Sequence, residues 1–172
     1  LRTGKNVFCE KPLCLSEEEL ATIVRAYSLA SPKPLFMVGF NRRFAPMAVH
    51  MKSFLSKIAE PLALHYRVNA GYLPADHWAN DPEQGGGRIL GELCHFVDFL
   101  MFLAGSAPVE VQAHSLANPG QYSDDNMIVC LRFANGSQGT ITYVANGDKS
   151  FSKERVEAFG GGAVAVLEDF RH

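Results

Sequence analysis

Lys11 stands in the tripeptide Glu10-Lys11-Pro12, directly after the apolar run Asn6-Val7-Phe8-Cys9. A charged pair and a proline closing an apolar strand set a lysine amine at the strand's carboxyl end, the side of an open α/β sheet where ligands collect. There an ammonium can donate a proton or a hydrogen bond to a substrate hydroxyl, more readily if burial lowers its pKa. The plainer alternative is a surface lysine that follows a strand. A second group, Gly39-Phe40-Asn41-Arg42-Arg43-Phe44, closes another apolar run. Neighbouring strand residues point to opposite faces, so one arginine is expected in a cleft, and the other in solvent or against a helix carboxylate. Asn41 suits an amide of substrate or cofactor, and equally suits ordinary turn chemistry.

The richest group runs from Gly85 to Asp98. Gly85-Gly86-Gly87 permits close backbone approach or a left-handed turn. Residues 89–102 read as a helix in which His95 and Asp98 share a face at i, i+3, with Glu92 one turn earlier. Carboxylates on both sides would fix the histidine tautomer and raise its pKa, as proton transfer requires. A helix histidine satisfied by Asp98 alone is the alternative. The loop Tyr72-Leu73-Pro74-Ala75-Asp76-His77-Trp78 holds the only tryptophan. Sugar-like ligands favour aromatic faces with polar edges, so His77 and Trp78 are candidate substrate walls, or else anchors of a lid. A zinc ion can be drawn among Asp76, His77, Glu92 and His95, but no pair has a dedicated ligand spacing, and no metal is expected.

The elements that must hold these groups are legible from period and punctuation. Residues 6–9 read as a strand, and Ser16 with Glu19 forms a capping box before a helix marked by Leu20, Ile23, Val24 and Tyr27. Residues 35–40 read as a second strand, making a parallel crossover of residues 5–40. Pro46 opens a second helix, and the period turns to two over residues 62–68. Residues 71–88 are long enough for a functional loop. The remainder reads as strands at 109–116, 127–134, 138–145, 155–159 and 163–167, with a hairpin at Asn135-Gly136 and a tight turn at Gly160-Gly161-Gly162. The fold class is α/β (α+β): the tail of a Rossmann-like parallel sheet, then an α+β domain with a largely antiparallel open sheet.

Composition bounds the function. With 16 basic and 18 acidic residues, scattered, and a net charge of -2, no basic face suggests nucleic acid. No apolar run approaches the ~20 residues of a membrane span, and the first residues do not resemble a signal peptide. Cys9, Cys14, Cys94 and Cys130 form no CxxC pair and sit in apolar sequence. They are expected to be small core residues of a cytoplasmic protein.

Taken together, Glu10-Lys11-Pro12, the Gly39 to Phe44 segment and Gly85-Gly86-Gly87 with His95 and Asp98 resemble the Gfo/Idh/MocA family of NAD(P)-dependent oxidoreductases. The likeness runs over residues 4 to 105, and the later β-rich half fits that family's C-terminal domain. It implies that residues 1–40 are the C-terminal remnant of a dinucleotide-binding Rossmann domain, and residues 41–172 a substrate and oligomerisation domain. It implies NAD or NADP in the full-length protein, hydride transfer at a hydroxyl-bearing carbon of a sugar, inositol or similar polyol, and a homo-oligomer formed through the C-terminal sheet. By resemblance Lys11 binds and polarises the reacting hydroxyl, and His95 serves in proton transfer. Glu10, Pro12 and Asn41 fall to the cofactor side; Arg42, His77 and Trp78 fall to the substrate side.

Two departures stand out. Many members carry a catalytic aspartate four residues before the histidine, where this chain has Gly91; position 93, often glycine, is Leu93. Glu92 is the candidate substitute, one residue along and so rotated by about 100° on a helix. No GxGxxG occurs, and the late Gly160-Gly161-Gly162 cannot open a phosphate-binding helix. The chain is therefore expected to be a piece of a longer protein, inactive in isolation, with nothing left to choose between NAD and NADP. The rival reading is a noncatalytic dimerisation or assembly module of a larger multidomain protein, its site decayed at position 91.

Overall fold

Strand β1 (Val7–Cys9) pairs in parallel with β2 (Phe36–Val38), Val7 opposite Phe36, and α1 (Glu17–Leu29) makes the crossover between them. The structure is a computed structural model, describing residues 1–81, 83–118, 120, 122 and 125–171. The capping box forms: Ser16 Oγ accepts from Glu19 N at 3.2 Å, and Glu19 Oε2 accepts from Leu15 N, one residue before the cap. The apolar face that periodicity marks on α1 is not covered, however. No residue of the helix is buried, and Leu20 and Val24 are 42% and 54% exposed.

Helix α2 (Pro46–Leu55) leads into β3 (Ala63–Asn69), and α3 (Cys94–Ala104) precedes β4 (Pro108–Ser115), β5 (Met127–Phe133), β6 (Gln138–Val144), β7 (Glu154–Gly160) and β8 (Ala163–Glu168). These six strands form one sheet in the order β4-β5-β6-β3-β7-β8. All pairings are antiparallel except β3 with β6, where Tyr66 lies opposite Ile141. Strict alternation sends Leu64, Tyr66 and Val68 to one face, with Val129, Leu131, Phe133, Ile141 and Val156. There they pack against Met51 and Leu55 of α2 and Phe96, Phe99, Leu100 and Leu103 of α3. Gly139 lets α3 lie close, since a Cβ there would come 2.9 Å from Leu100 Cδ1. Among the described residues none forms a layer over the opposite face, which carries His65, Cys130 and Thr140.

Several sequence expectations need correction. The cysteines are not core residues: Cys9, Cys14 and Cys94 are half-buried, and Cys130 is exposed on the uncovered face. The hairpin at Asn135-Gly136 does form, joining β5 to β6 through residues 134–137, but only Gly136 has positive φ, while Asn135 Oδ1 accepts from Ser137 N. Gly161 and Gly162 do form the two-residue turn, both with positive φ. Residues 89–102 are helical throughout, as expected, but not α-helical throughout. Ile89–Leu93 is a π-helical turn, and α3 begins only at Cys94. Among the described residues no helix is long and apolar enough to cross a membrane.

Candidate active-site cleft

At the carboxyl end of β1 the chain turns through a cis Lys11-Pro12 peptide towards the π turn before α3. Lys11 Nζ donates to the Gly91 carbonyl at 2.8 Å, joining two segments eighty residues apart. An ammonium has three N–H donors, so this contact fixes Lys11 and leaves donors for a ligand. A cleft of about 450 Å³ opens there. Lys11, Pro12, Arg42, His77, Trp78, Gly91, Glu92 and His95 line it, with Leu73, Arg88, Phe96 and Lys153. Ligand sites of small molecules fall in this size range.

The carboxylates expected around His95 serve other partners. Asp98 is bidentate to Arg43, with Arg43 Nε at 3.0 Å from Asp98 Oδ2. Glu92 Oε1 accepts from Arg88 Nε at 3.1 Å. His95, 8% exposed, keeps a buried Nδ1 with no hydrogen-bond partner, its ring edge-on to Phe40. Burial first, then the Arg42 and Lys11 charges, push its pKa down to about 4. The expected rise is thereby reversed, because burial, helped by the two cations, outweighs the Glu154 and Glu92 carboxylates, which are already paired with arginines. A neutral imidazole is a proton acceptor at physiological pH.

Arg42 and Arg43 do not alternate along a strand. They sit in the short 3₁₀ turn Asn41–Phe44, and each finds a carboxylate. Arg42 reaches Glu154 of β7 through Nε at 2.9 Å and Nη2 at 2.7 Å, and Tyr66 also donates its hydroxyl to Glu154. Burial alone would raise the Glu154 pKa; the Arg42 hydrogen bonds and charge, with Tyr66, hold it below the usual range. Arg42 lines the cleft with its guanidinium occupied and stacked over Phe96.

The loop that precedes the π turn forms a wall. His77 Nδ1 accepts from Ala79 N at 3.2 Å, and Trp78, 64% exposed, lies beside the His77 ring. Gly85 closes this loop, since a Cβ there would meet Ala79 Cα at 2.6 Å. A Cβ at Gly91 would come 3.2 Å from the Gly85 carbonyl, so the missing aspartate coincides with close backbone packing. Behind the cleft, Arg88 is buried, donating to the Gly71 carbonyl at 2.7 Å and to Asp125 as well as Glu92. Of the other candidates, Pro12 is in the lining. Glu10 lies beside Gly39 at the strand ends, and Asn41 is exposed outside the lining. Among the described residues no group of three or more His, Cys, Asp or Glu side chains could hold a metal ion.

Sequence reasoning missed Arg88, Lys153 and Glu154. Arg88 sits beside the glycines and was open to inspection; Lys153-Glu154 joins the site only through tertiary pairing, 112 residues from Arg42.

Comparison with known proteins matches residues 56–165 to the GFO/IDH/MocA C-terminal domain. Inositol 2-dehydrogenase 2 of Saccharopolyspora erythraea is 36% identical over 79% of this chain and 40% of its own length. Inositol 2-dehydrogenase of Rhizobium meliloti is 31% identical over 96% of this chain and 51% of its own. Among solved structures, a myo-inositol dehydrogenase from Corynebacterium glutamicum superposes with a TM-score of 0.70 at 26% identity, covering 94% of this chain and 48% of that one. The chain thus spans about half the length of these relatives.

Proposed function

The chain belongs to the GFO/IDH/MocA family, and on that footing we propose that it is the substrate-domain portion of an NAD- or NADP-dependent oxidoreductase acting on a sugar, inositol or related polyol. The observation that carries the reading is one cleft holding both the Lys11 ammonium and a neutral, unpartnered His95. On this reading Lys11 donates a hydrogen bond to the reacting hydroxyl, and His95 takes the hydroxyl proton as hydride leaves for the nicotinamide. In the reverse direction His95 returns it. The dinucleotide, when bound, supplies hydride acceptance and donation.

Pro12 and Glu10, at the carboxyl end of β1, suit the cofactor side, and Asn41 is assigned there by the motif alone. His77 and Trp78 suit one wall of the substrate site, and Arg42 suits another through its stack on Phe96. Glu92, in the cleft lining and held by Arg88, is the candidate to stand in for the family aspartate absent at Gly91. Residues 1–40 would complete a dinucleotide-binding domain, and the uncovered sheet face would join copies of the protein. With no GxGxxG in 172 residues, tight dinucleotide binding by this chain alone is not expected.

The test is turnover by the full-length protein with NAD or NADP on a panel of hexoses and cyclitols. Lys11→Ala and His95→Ala should each lower kcat by about 10²–10⁴-fold. Undiminished activity in both variants would overturn the assignment. The rival, an assembly module without chemistry, is favoured by Gly91 standing where the family aspartate belongs. It gains if breaking the sheet face disperses an oligomer while no turnover is found.

A further inference from the structure

The charges around the cleft do not cancel. Four cations line it, Lys11, Arg42, Arg88 and Lys153, against one carboxylate, Glu92. Both guanidiniums are committed, Arg42 to Glu154 and Arg88 to Glu92, Asp125 and the Gly71 carbonyl. Lys11 donates to a neutral carbonyl. Lys153 makes no ion pair with any carboxylate among the described residues. His95, neutral above about pH 4, adds no further positive charge to the cleft.

Lys153 is also firmly mounted. Its carbonyl accepts from Asn69 N at 2.7 Å, and the N–H of the next residue, Glu154, donates to Asp169 Oδ1 at 2.7 Å. Lys153, an exposed side chain, thus lines the cleft from a backbone held on both sides. The Lys153 charge is felt by Glu154, whose carboxylate is already held by Arg42 and Tyr66, so neither ammonium has a carboxylate of its own; an anionic group in the cleft would pair with one of them in a charge-assisted hydrogen bond. Lys11 serves the reacting hydroxyl, which leaves Lys153 for the anion.

We propose, building on the oxidoreductase reading above, that the cleft takes a sugar or cyclic polyol bearing an anionic substituent, carboxylate or phosphate, and that Lys153 recognises that substituent. The experiment uses the full-length protein with NAD and NADP on paired substrates: D-glucose, D-galactose and myo-inositol, each beside its carboxylate or phosphate form. An anionic member should show the higher kcat/KM, and which anion it carries separates the carboxylate source from the phosphate source. Lys153→Gln should lower the anionic-to-neutral ratio of kcat/KM about tenfold or more, acting through KM. Lys153→Arg should restore most of it. An unchanged ratio in Lys153→Gln overturns the proposal. So does an equal rise in the dinucleotide KM with every substrate, which would assign Lys153 to a cofactor phosphate. Inactivity on every pair with either dinucleotide would sink the oxidoreductase reading, and this inference with it.

Discussion

Burial, with the Arg42 and Lys11 charges beside it, holds His95 at a pKa of about 4, whereas the same ring in an unfolded chain titrates near 6.5. Between those values the unfolded chain carries the extra proton, so stability falls as pH drops from about 6.5 to about 4 and this contribution levels off below that. The full difference amounts to about 3 kcal/mol. Urea unfolding at pH 7 and pH 5 should show the loss, and His95→Gln should flatten it; an equal slope in both proteins would contradict a neutral His95. Glu154 acts at lower pH and in the usual sense: its depressed folded pKa gives stability present above its unfolded value and lost as pH falls through the folded one. Arg42→Ala leaves the Glu154 carboxylate, with a side chain 10% exposed, without its cation, and should cost about 3–5 kcal/mol by chemical denaturation. At this scale the sequence disclosed which residues lie together, since lysine, glycines and histidine do meet in one cleft. It did not disclose their partners. Asp98 looked like a neighbour of His95 on a helix, yet Arg43, fifty-five residues away, takes both its oxygens.

The π turn Ile89–Leu93 is the element that joins the cleft together, since it presents the Gly91 carbonyl to Lys11 and the Glu92 carboxylate to Arg88. Such turns are frequent at functional sites. Its apolar spacing runs without a break into α3, which is why residues 89–102 read as a single helix. The strands fared better: all five after α3 were located to within one or two residues, and over β5 and β6 the alternation that marked them reflects one buried face and one that is not. The loop before the π turn depends on Gly85, where a Cβ would sit 2.6 Å from backbone atoms of Ala79. Gly85→Ala should cost about 1–3 kcal/mol and displace the neighbouring wall. Trp78, the only tryptophan, reports on that wall. Its emission maximum should shift in Gly85→Ala, and an unmoved spectrum with unmoved stability would show that the loop closes without the glycine.

Across the molecule, burial is uneven. The apolar core draws on residues 48–167, while α1 buries nothing and Phe8, Leu29 and Leu35 are 63%, 78% and 75% exposed. Backbone amides of residues 5–40 should therefore exchange with deuterium well before those of β3, β5 and β6; equal protection would mean that the crossover unit is held by contacts beyond its own core. The uncovered sheet face can be tested in the same spirit. Thr142→Lys, on that face, should shift the full-length protein to a smaller species in sedimentation, and no shift would remove the sheet as the interface. Helical and strand patterns foretold the order of elements, but no local pattern could foretell that β3 lies between β6 and β7, since its partners come 75 to 96 residues later. That placement has a kinetic consequence. β4, β5 and β6 follow one another as antiparallel neighbours, and β7 and β8 form a hairpin, so both sets can assemble from nearby sequence. Only β3 unites them, and it must wait for both. Such non-local pairing slows folding. Substitutions such as Val68→Ala should accordingly speed unfolding more than they slow folding, with stopped-flow φ-values low in β3 and higher in the β5–β6 hairpin. The strand made first in the chain would be the last to enter the sheet.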